Sequence, residues 1–223
     1  MNRIIAIILL IFLSSCEKNA TELEFEKKVM NEIFIDLVDS IFIDMRTMKI
    51  PSLHLEKGIS DSLKNERINR YRLALDKNEK KRIEIKNETS RIVIAVYDTI
   101  ETQSVSAGEE LIKHNNIDYL FNSKTKKIEY KIDLSKVRKS DKFIFKYYTK
   151  FPIGRDIWRT EYPFYLGGVV SFTRIQFDRD RNYGILSAGI SYAPLNGGGF
   201  VIYIKKDEHD KWIIDEIIQT SIS

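Results

Sequence analysis

The chain has 223 residues, of which 43% are hydrophobic and 30% charged, and its formal net charge is +4. This length and balance exclude a disordered or fibrous chain and suit one domain with its own hydrophobic core. Cys16 is the only cysteine, which excludes an internal disulfide and a metal site built from several thiolates.

The first sixteen residues, MNRIIAIILLIFLSSC, have the three parts of a secretory signal peptide. Arg3 supplies a positive charge, Ile4–Leu13 is an unbroken apolar run, and Ser14 and Ser15 are small residues before a cysteine. The apolar run would span about 15 Å as a helix, which is too short to cross a bilayer. The segment therefore predicts export, and it argues against a nucleic-acid partner.

The ending Leu13-Ser14-Ser15-Cys16 resembles a bacterial lipobox. The resemblance implies that Cys16 becomes the new N-terminus and carries fatty acyl chains such as palmitate, which anchor the protein to a membrane of the cell envelope outside the cytoplasm. We expect a signal peptide at 1–15, a short tether at 16–20 and a single α+β domain at 21–223, helical over 21–86 and mainly β over 90–221. Both the inner and the outer membrane remain open.

A long first helix is predicted over 22–48. Thr21 and Glu24 have the capping-box spacing, and the apolar residues after them recur at helical intervals. Pro51 is expected to end this helix, because the residue before a proline is pushed out of the helical conformation. Asp44 falls at the edge of the apolar arc, where we expect a structural ion pair; a ligand contact is the alternative.

A second helix is predicted over about 61–85, with Ser60 or Asp61 as its cap. Its interleaved basic and acidic residues indicate a solvated surface, with a partner surface as the alternative. Residues 124–150 hold ten Lys and Arg against three acidic residues. They predict strands with solvent-facing lysines, with contact to anionic lipid as the alternative.

The chain from residue 90 onward predicts mainly strands. Arg91–Tyr97 is a β-branched run bounded by polar residues, typical of a buried strand, and Ser106–His114 predicts a short helix. Asn196-Gly197 is a hairpin signal, and the glycines at 197–199 predict a turn. Short links between strands predict an α+β fold, with two N-terminal helices packed on an antiparallel meander of about five to seven strands. The later strands are expected at 127–134, 142–150, 169–177, 183–193, 200–205 and 211–220.

Several stretches resemble a group of uncharacterised bacterial lipoproteins: LVDSIFIDMR at 37–46, TSRIVIAV at 89–96, FYLGGVVSFTRIQF at 164–177 and KWII at 211–214. The resemblance covers most of the mature chain and implies the fold and the envelope location, but it brings no activity. Many members of that group place cysteines around the glycine-rich hairpin, and this chain has none there. The order of helices before strands is also similar to that of NTF2-like cones.

Motifs for catalysis are missing from the sequence. His54, His114 and His209 are isolated and do not have a metal-ligand spacing, and no P-loop, dinucleotide fingerprint or nucleophile elbow occurs. We expect no cofactor and favour a non-catalytic binding or interaction module over an enzyme. A hydrolase whose acid and base meet only in the fold, and a toxin-immunity lipoprotein, are the alternatives.

Nine aromatic residues between 143 and 165 form the strongest candidate for a binding site. Those at 143, 145 and 147 alternate and are expected in the core. Arg155, Trp158 and Arg159 lie in a predicted loop, 152–168, where an aromatic ring beside two cations suits a carboxylate or phosphate group. Loops on a rigid sheet often hold binding residues, so we expect an envelope protein or a glycan as the partner.

Arg174 is expected to line the same concave patch as this loop. It alternates with Phe172 and Gln176 on one strand face, which is an unusual place for an unpaired charge. The alternative is a structural salt bridge to a core acid, for which Asp44 is the candidate.

Overall fold

The computed structural model describes residues 21–48, 52–53, 58–102 and 129–222. Cys16, the signal peptide, the tether and the helix predicted at Ser106–His114 lie outside these residues. Neither helix in the described ranges combines the length and the apolar character needed to span a bilayer.

Helix α1 (Glu22–Ile41) begins with the predicted capping box. The Thr21 hydroxyl accepts a hydrogen bond from the Glu24 N–H, and the Glu24 carboxylate accepts one from the Thr21 N–H. The helix ends at Ile41, so its predicted extent to residue 48 is wrong. At this end the hydroxyl of Tyr192, a residue of the sheet, supplies hydrogen bonds to the backbone in place of a further helical turn. It accepts a hydrogen bond from the Ile43 N–H at 2.8 Å and donates one to the Ile41 carbonyl at 3.3 Å.

Helix α2 (Asp61–Lys86) has the predicted bounds to within one residue, with Ser60 as its cap. Although it is described over its whole length, none of its residues is buried. Its last turns line a cleft of about 720 Å³ against Ile92 and Lys142. Of the two predicted helices, α1 therefore packs on the sheet in full, and α2 meets the rest of the domain at its C-terminal end.

The described residues form nine strands: β1 Ile92–Val96, β2 Thr99–Ile100, β3 Tyr130–Lys131, β4 Phe143–Tyr147, β5 Leu166–Phe172, β6 Gln176–Phe177, β7 Tyr183–Ala193, β8 Asn196–Lys206 and β9 Trp212–Ile222. The main sheet has seven strands in the order β4-β1-β5-β7-β8-β9, with β6 added beside β7, and β2 and β3 form a separate pair. The α+β class is confirmed.

The sheet is mixed, not antiparallel throughout. Strand β1 runs parallel to both of its neighbours, β4 and β5, while β5, β7, β8 and β9 are antiparallel as predicted. Parallel neighbours require a crossover of a dozen or more residues. Residues 97–142 and 148–165 provide the two crossovers, and these long connections are the reason for the difference from a meander.

Helix α1 and the second crossover cover opposite faces of the sheet. The main core lies under α1 and contains Phe34, Leu37, Ile94 and Val170 among its buried residues. Ala95 lies between Ile94 and Val96 on the strand and points the other way, into a smaller core on the second face. All five residues of β1 are buried, which confirms the strand predicted over 91–97.

The glycines at 197–199 lie within β8, so their prediction as a turn is wrong. The hairpin exists, but its turn is formed by Pro194 and Leu195. A Cβ on Gly197 would lie 2.5 Å from the Ile190 carbonyl oxygen of β7. The glycine thus permits a close approach of two strands at an irregular pairing next to the turn.

Candidate binding surface

The second crossover, 148–165, is built from two short 3₁₀ helices, Tyr148–Lys150 and Gly154–Trp158. Ile157 is 1% exposed and packs with Ala95 and Val169 beneath the loop. Side chains three residues apart lie above one another in a 3₁₀ helix. Ile157 therefore fixes the orientation of the second 3₁₀ helix and the direction in which its other side chains point.

A row of aromatic rings supports the rest of the crossover. Phe151 contacts Tyr162 edge-on at 5.7 Å, and Tyr162 stacks on Phe164 at 5.1 Å. The Tyr162 hydroxyl donates to the Ile157 carbonyl at 3.1 Å, and the Lys146 ammonium lies 4.3 Å from the centre of the Phe164 ring. These contacts hold the loop in one shape against the sheet.

A stacked pair of tyrosines lies at the start of the crossover. The rings of Tyr97 and Tyr148 lie 4.5 Å apart, and the Tyr148 hydroxyl accepts a hydrogen bond from the Gly154 N–H at 3.1 Å. Gly154 has a φ of +63°, a conformation that glycine adopts without strain. Burial raises the pKa of Tyr97, although its side chain remains 44% exposed and forms part of the surface.

The outer side of the crossover displays cations beside an apolar side chain. Ile153 is 83% exposed and Arg155 is exposed. Arg159 and Asp156 form an ion pair at 3.8 Å with both side chains largely exposed, a contact that contributes little energy. Residues 146–161 hold four Lys and Arg against two acidic residues, so this surface favours an anionic partner.

Trp158 takes an intermediate place between core and surface. It is half-buried and packs against the small core that contains Ile157. Arg155 lies one turn before it on the same side of the 3₁₀ helix. Of the residues expected to bind, Arg155, Trp158 and Arg159 are thus brought together by one short element.

Arg174 lies elsewhere, under α1 in the break between β5 and β6, so its predicted place on the face of one continuous strand is wrong. Its Nε and Nη2 atoms donate to the Glu26 carboxylate at 2.9 and 2.5 Å, and Glu26 also accepts from the Ile175 N–H at 3.0 Å. The Glu26 side chain is 2% exposed and that of Arg174 is 14% exposed. Arg174 has the buried acid that the structural alternative requires, but this acid is Glu26 and not Asp44.

Burial and the partner's charge shift the pKa of both Glu26 and Arg174 in opposite directions. Burial raises the pKa of Glu26, whereas the hydrogen bonds and the positive charge of Arg174 lower it. Burial lowers the pKa of Arg174 in turn, but the hydrogen bonds and the negative charge of Glu26 raise it, and the net result is a raised pKa of Arg174. The hydroxyl of Tyr130, close to both charges, has no hydrogen-bond partner among the described residues. These groups tie α1 to the sheet.

Asp44 forms a second ion-pair cluster, at the C-terminal end of α1. Its carboxylate accepts from Arg46 Nε at 3.0 Å and Nη2 at 2.7 Å, and Arg46 also donates to Glu88 at 2.5 Å. The Arg46 guanidinium lies over the ring of Tyr165 at 4.2 Å. Burial raises the pKa of Tyr165 to about 12. The expected structural pairing of Asp44 is therefore present, in the wall of the cleft that α2 lines.

Sequence reasoning missed Glu26, Arg46 and Glu88 as members of these clusters. Helical spacing could have indicated Glu26, because it lies four residues before Met30 and seven before Ile33 on the buried side of α1. Nothing local marks Glu88 as the partner of Arg46, since 42 residues separate them.

No protein-family model, curated protein or solved structure matches the chain. Within the described ranges, no group of three or more His, Cys, Asp or Glu residues could hold a metal ion.

Proposed function

We propose that this protein is a membrane-anchored lipoprotein of the bacterial cell envelope whose domain is a non-catalytic binding module. The observation that carries the proposal is the crossover 148–165. Its inner residues are fixed in a small core by Ile157, and its outer residues present Arg155, Arg159 and Ile153 to solvent. A rigid surface of this kind limits the entropy lost when a partner binds.

The surface favours an acidic protein partner over a glycan. A glycan is commonly held by an aromatic ring with a free face, and Trp158 is half-buried against the core. An apolar side chain such as Ile153 beside two arginines suits a protein interface, where arginine anchors are common.

The buried carboxylate favours binding over hydrolysis. A carboxyl whose pKa is raised by burial, like that of Glu26, is the usual candidate for a general acid. Glu26, however, is 1% exposed and accepts hydrogen bonds from Arg174 and from the Ile175 N–H, so a substrate does not reach it. Its role is to fasten α1.

The binding surface is tested by crosslinking and pull-down from envelope membranes. We expect wild type and the control Arg91→Ala/Arg179→Ala to recover the same acidic partner, because the two control arginines are exposed and lie outside the crossover. Arg155→Ala/Arg159→Ala should lose it with an unchanged melting temperature. Recovery of identical proteins by all three would overturn the proposed surface, and recovery of a glycan alone would overturn the choice of a protein partner.

The anchor is tested separately by Cys16→Ala. Wild type should incorporate labelled palmitate and partition into the detergent phase, because two or more acyl chains give stable anchoring. The variant should remain unprocessed and unlabelled. Equal labelling of the two chains would show that Cys16 is not the acylated residue.

A further inference from the structure

Helix α2 carries a concentration of positive charge. Its 26 residues include nine Lys and Arg against five Asp and Glu, a net charge of +4. The formal net charge of the whole chain is also +4, so the charges outside α2 cancel. Together with the lysine-rich segment at 124–150, α2 is one of two stretches in which positive charge is concentrated.

The cations of α2 other than Arg67 are exposed. None of the helix is buried, and its ion pairs include Arg70 with Glu66 and Arg82 with Glu79. Lys77, Lys80 and Lys81 are exposed and make no ion pair in the part of the chain that the structure describes.

The lysine-rich segment at 124–150 differs in this respect. In its described part, Arg138 pairs with Asp36 and Lys142 with Asp39 of α1, so some of its charge is used within the domain. Lys136 also lies 3.7 Å from Asp133. Among the residues that the structure describes, α2 therefore presents more cations without an ion pair than this segment does.

The apolar residues of α2 do not form an inserting face. Leu63, Leu73 and Ile83 are exposed, but successive members are ten residues apart, which turns each by about 80° from the last at 100° per residue. A helix of this kind rests on a charged surface and does not enter the hydrocarbon layer.

We infer that α2 docks on the anionic phospholipid headgroups of the membrane to which the protein is anchored. The inference rests on the proposed lipid anchor, which keeps the helix next to one charged surface above all others. Arg46 holds Glu88, just after the helix, and α2 is about 39 Å long against about 30 Å for α1. The helix is thus fastened at one end and longer than the helix that forms the core.

The test places a fluorophore on α2 of the anchored protein. With Cys16 acylated, Asn69→Cys provides the only free thiol, at an exposed position of the helix. The labelled protein is reconstituted into phosphatidylcholine vesicles with or without phosphatidylglycerol, each containing a lipid with a headgroup quencher. We expect strong quenching only with phosphatidylglycerol, and its release when salt is raised from about 0.1 to about 1 M, because the Debye length falls from about 10 to about 3 Å.

Two lysine-to-glutamine variants supply the matched comparison. Lys77→Gln/Lys80→Gln/Lys81→Gln keeps good helix formers and should lower the docked-to-undocked ratio at least about tenfold. The control changes three exposed lysines outside α2 and outside the crossover to glutamine, at 131, 139 and 211, and should leave the ratio within about twofold.

Several results would overturn the inference. They are equal quenching in both kinds of vesicle, no quenching in either, or the same loss in both variants. Release of quenching by added polyphosphate, without any effect of phosphatidylglycerol, would assign α2 to a soluble polyanion instead. If mass spectrometry shows Cys16 without acyl chains, the proposed anchor fails. The same measurement on Cys16→Ser/Asn69→Cys, with vesicles added to the free chain, then still decides whether α2 docks.

Discussion

Replacing Arg174 by methionine tests whether the pair with Glu26 holds α1 on the sheet. The change keeps an unbranched side chain but leaves the Glu26 carboxylate, 2% exposed, with the Ile175 N–H and without its cation. Removing one partner of a buried ion pair costs about 3–5 kcal/mol of unfolding free energy. We expect a loss of about 3 kcal/mol, at the lower end because Ile175 still donates its hydrogen bond.

The unfolding free energy that Arg174→Met loses should increase as pH rises. Burial raises the pKa of Glu26 and Arg174 opposes this, so the variant should have a still higher Glu26 pKa in the folded state. A carboxyl with a raised folded-state pKa binds more protons when folded, so its stabilisation is complete below the unfolded-state pKa and is lost as pH rises through the folded-state pKa. The difference in unfolding free energy between variant and wild type should therefore widen as pH rises above the ordinary pKa of glutamate, by at most about 1.4 kcal/mol per pH unit.

Urea unfolding followed by circular dichroism measures both effects, since a lower midpoint at constant slope reports lost stability. Arg138→Met is the matched control, because its pair with Asp36 also links α1 to a distant segment but is more than half exposed. We expect it to cost about 0–1 kcal/mol. Glu26→Leu/Arg174→Met should recover much of the loss, since no unpaired charge remains. A loss in Arg174→Met as small as that of Arg138→Met, and constant with pH, would refute the reasoning.

Two further substitutions test the packing on either side of the main core. Gly167→Ala should lower the unfolding free energy by about 1–3 kcal/mol in urea titrations, because the added Cβ would overlap Ile92 Cγ2. A stability equal to that of wild type would mean that the Ile92 side chain moves aside at no cost. Tyr192→Phe should cost about 1–2 kcal/mol in thermal melts, because Ile43 N–H and the Ile41 carbonyl lose their shared partner, and an unchanged melt would show that water replaces the hydroxyl.

Local sequence signals predicted how the helices begin but not where the first one ends. The cap residues Thr21 and Ser60 act within three residues of themselves, so their hydrogen bonds follow from the pattern alone. The end of α1 depends on Tyr192, which is about 150 residues away in the chain, and its hydroxyl is a better local partner than another turn of helix. A proline several residues later could not indicate this.

The strands were located better than their directions. Every predicted run overlaps an observed strand, although several bounds differ, because β-branched and alternating patterns are local. The direction of β1 depends on long connections, although its uninterrupted apolar run was itself a signal. A strand buried on both faces, as β1 is, is typical of parallel pairing with both faces of the sheet covered.

The candidate site also has a part that local sequence predicts and a part that depends on the fold. Arg155 and Trp158 lie in one 3₁₀ helix and Arg159 is its C-cap, so the sequence could group them. Arg174 and Asp44 have partners at separations of 148 and 2 residues, in two different clusters. Only the fold decides the long-range pairing of Arg174, and it distributes the predicted residues over three places.

The 3₁₀ helix of the crossover separates the stabilising and the displayed residues by their order in the chain. Ile157 occupies the buried side, Trp158 is half-buried, and Arg155, Asp156 and Arg159 are exposed. A substitution on the outer side leaves the contacts of Ile157 with the sheet intact. Loss of binding at Arg159 therefore reports on the partner directly, whereas the same loss at Trp158 also includes the cost of opening the small core, which a melt of that variant measures.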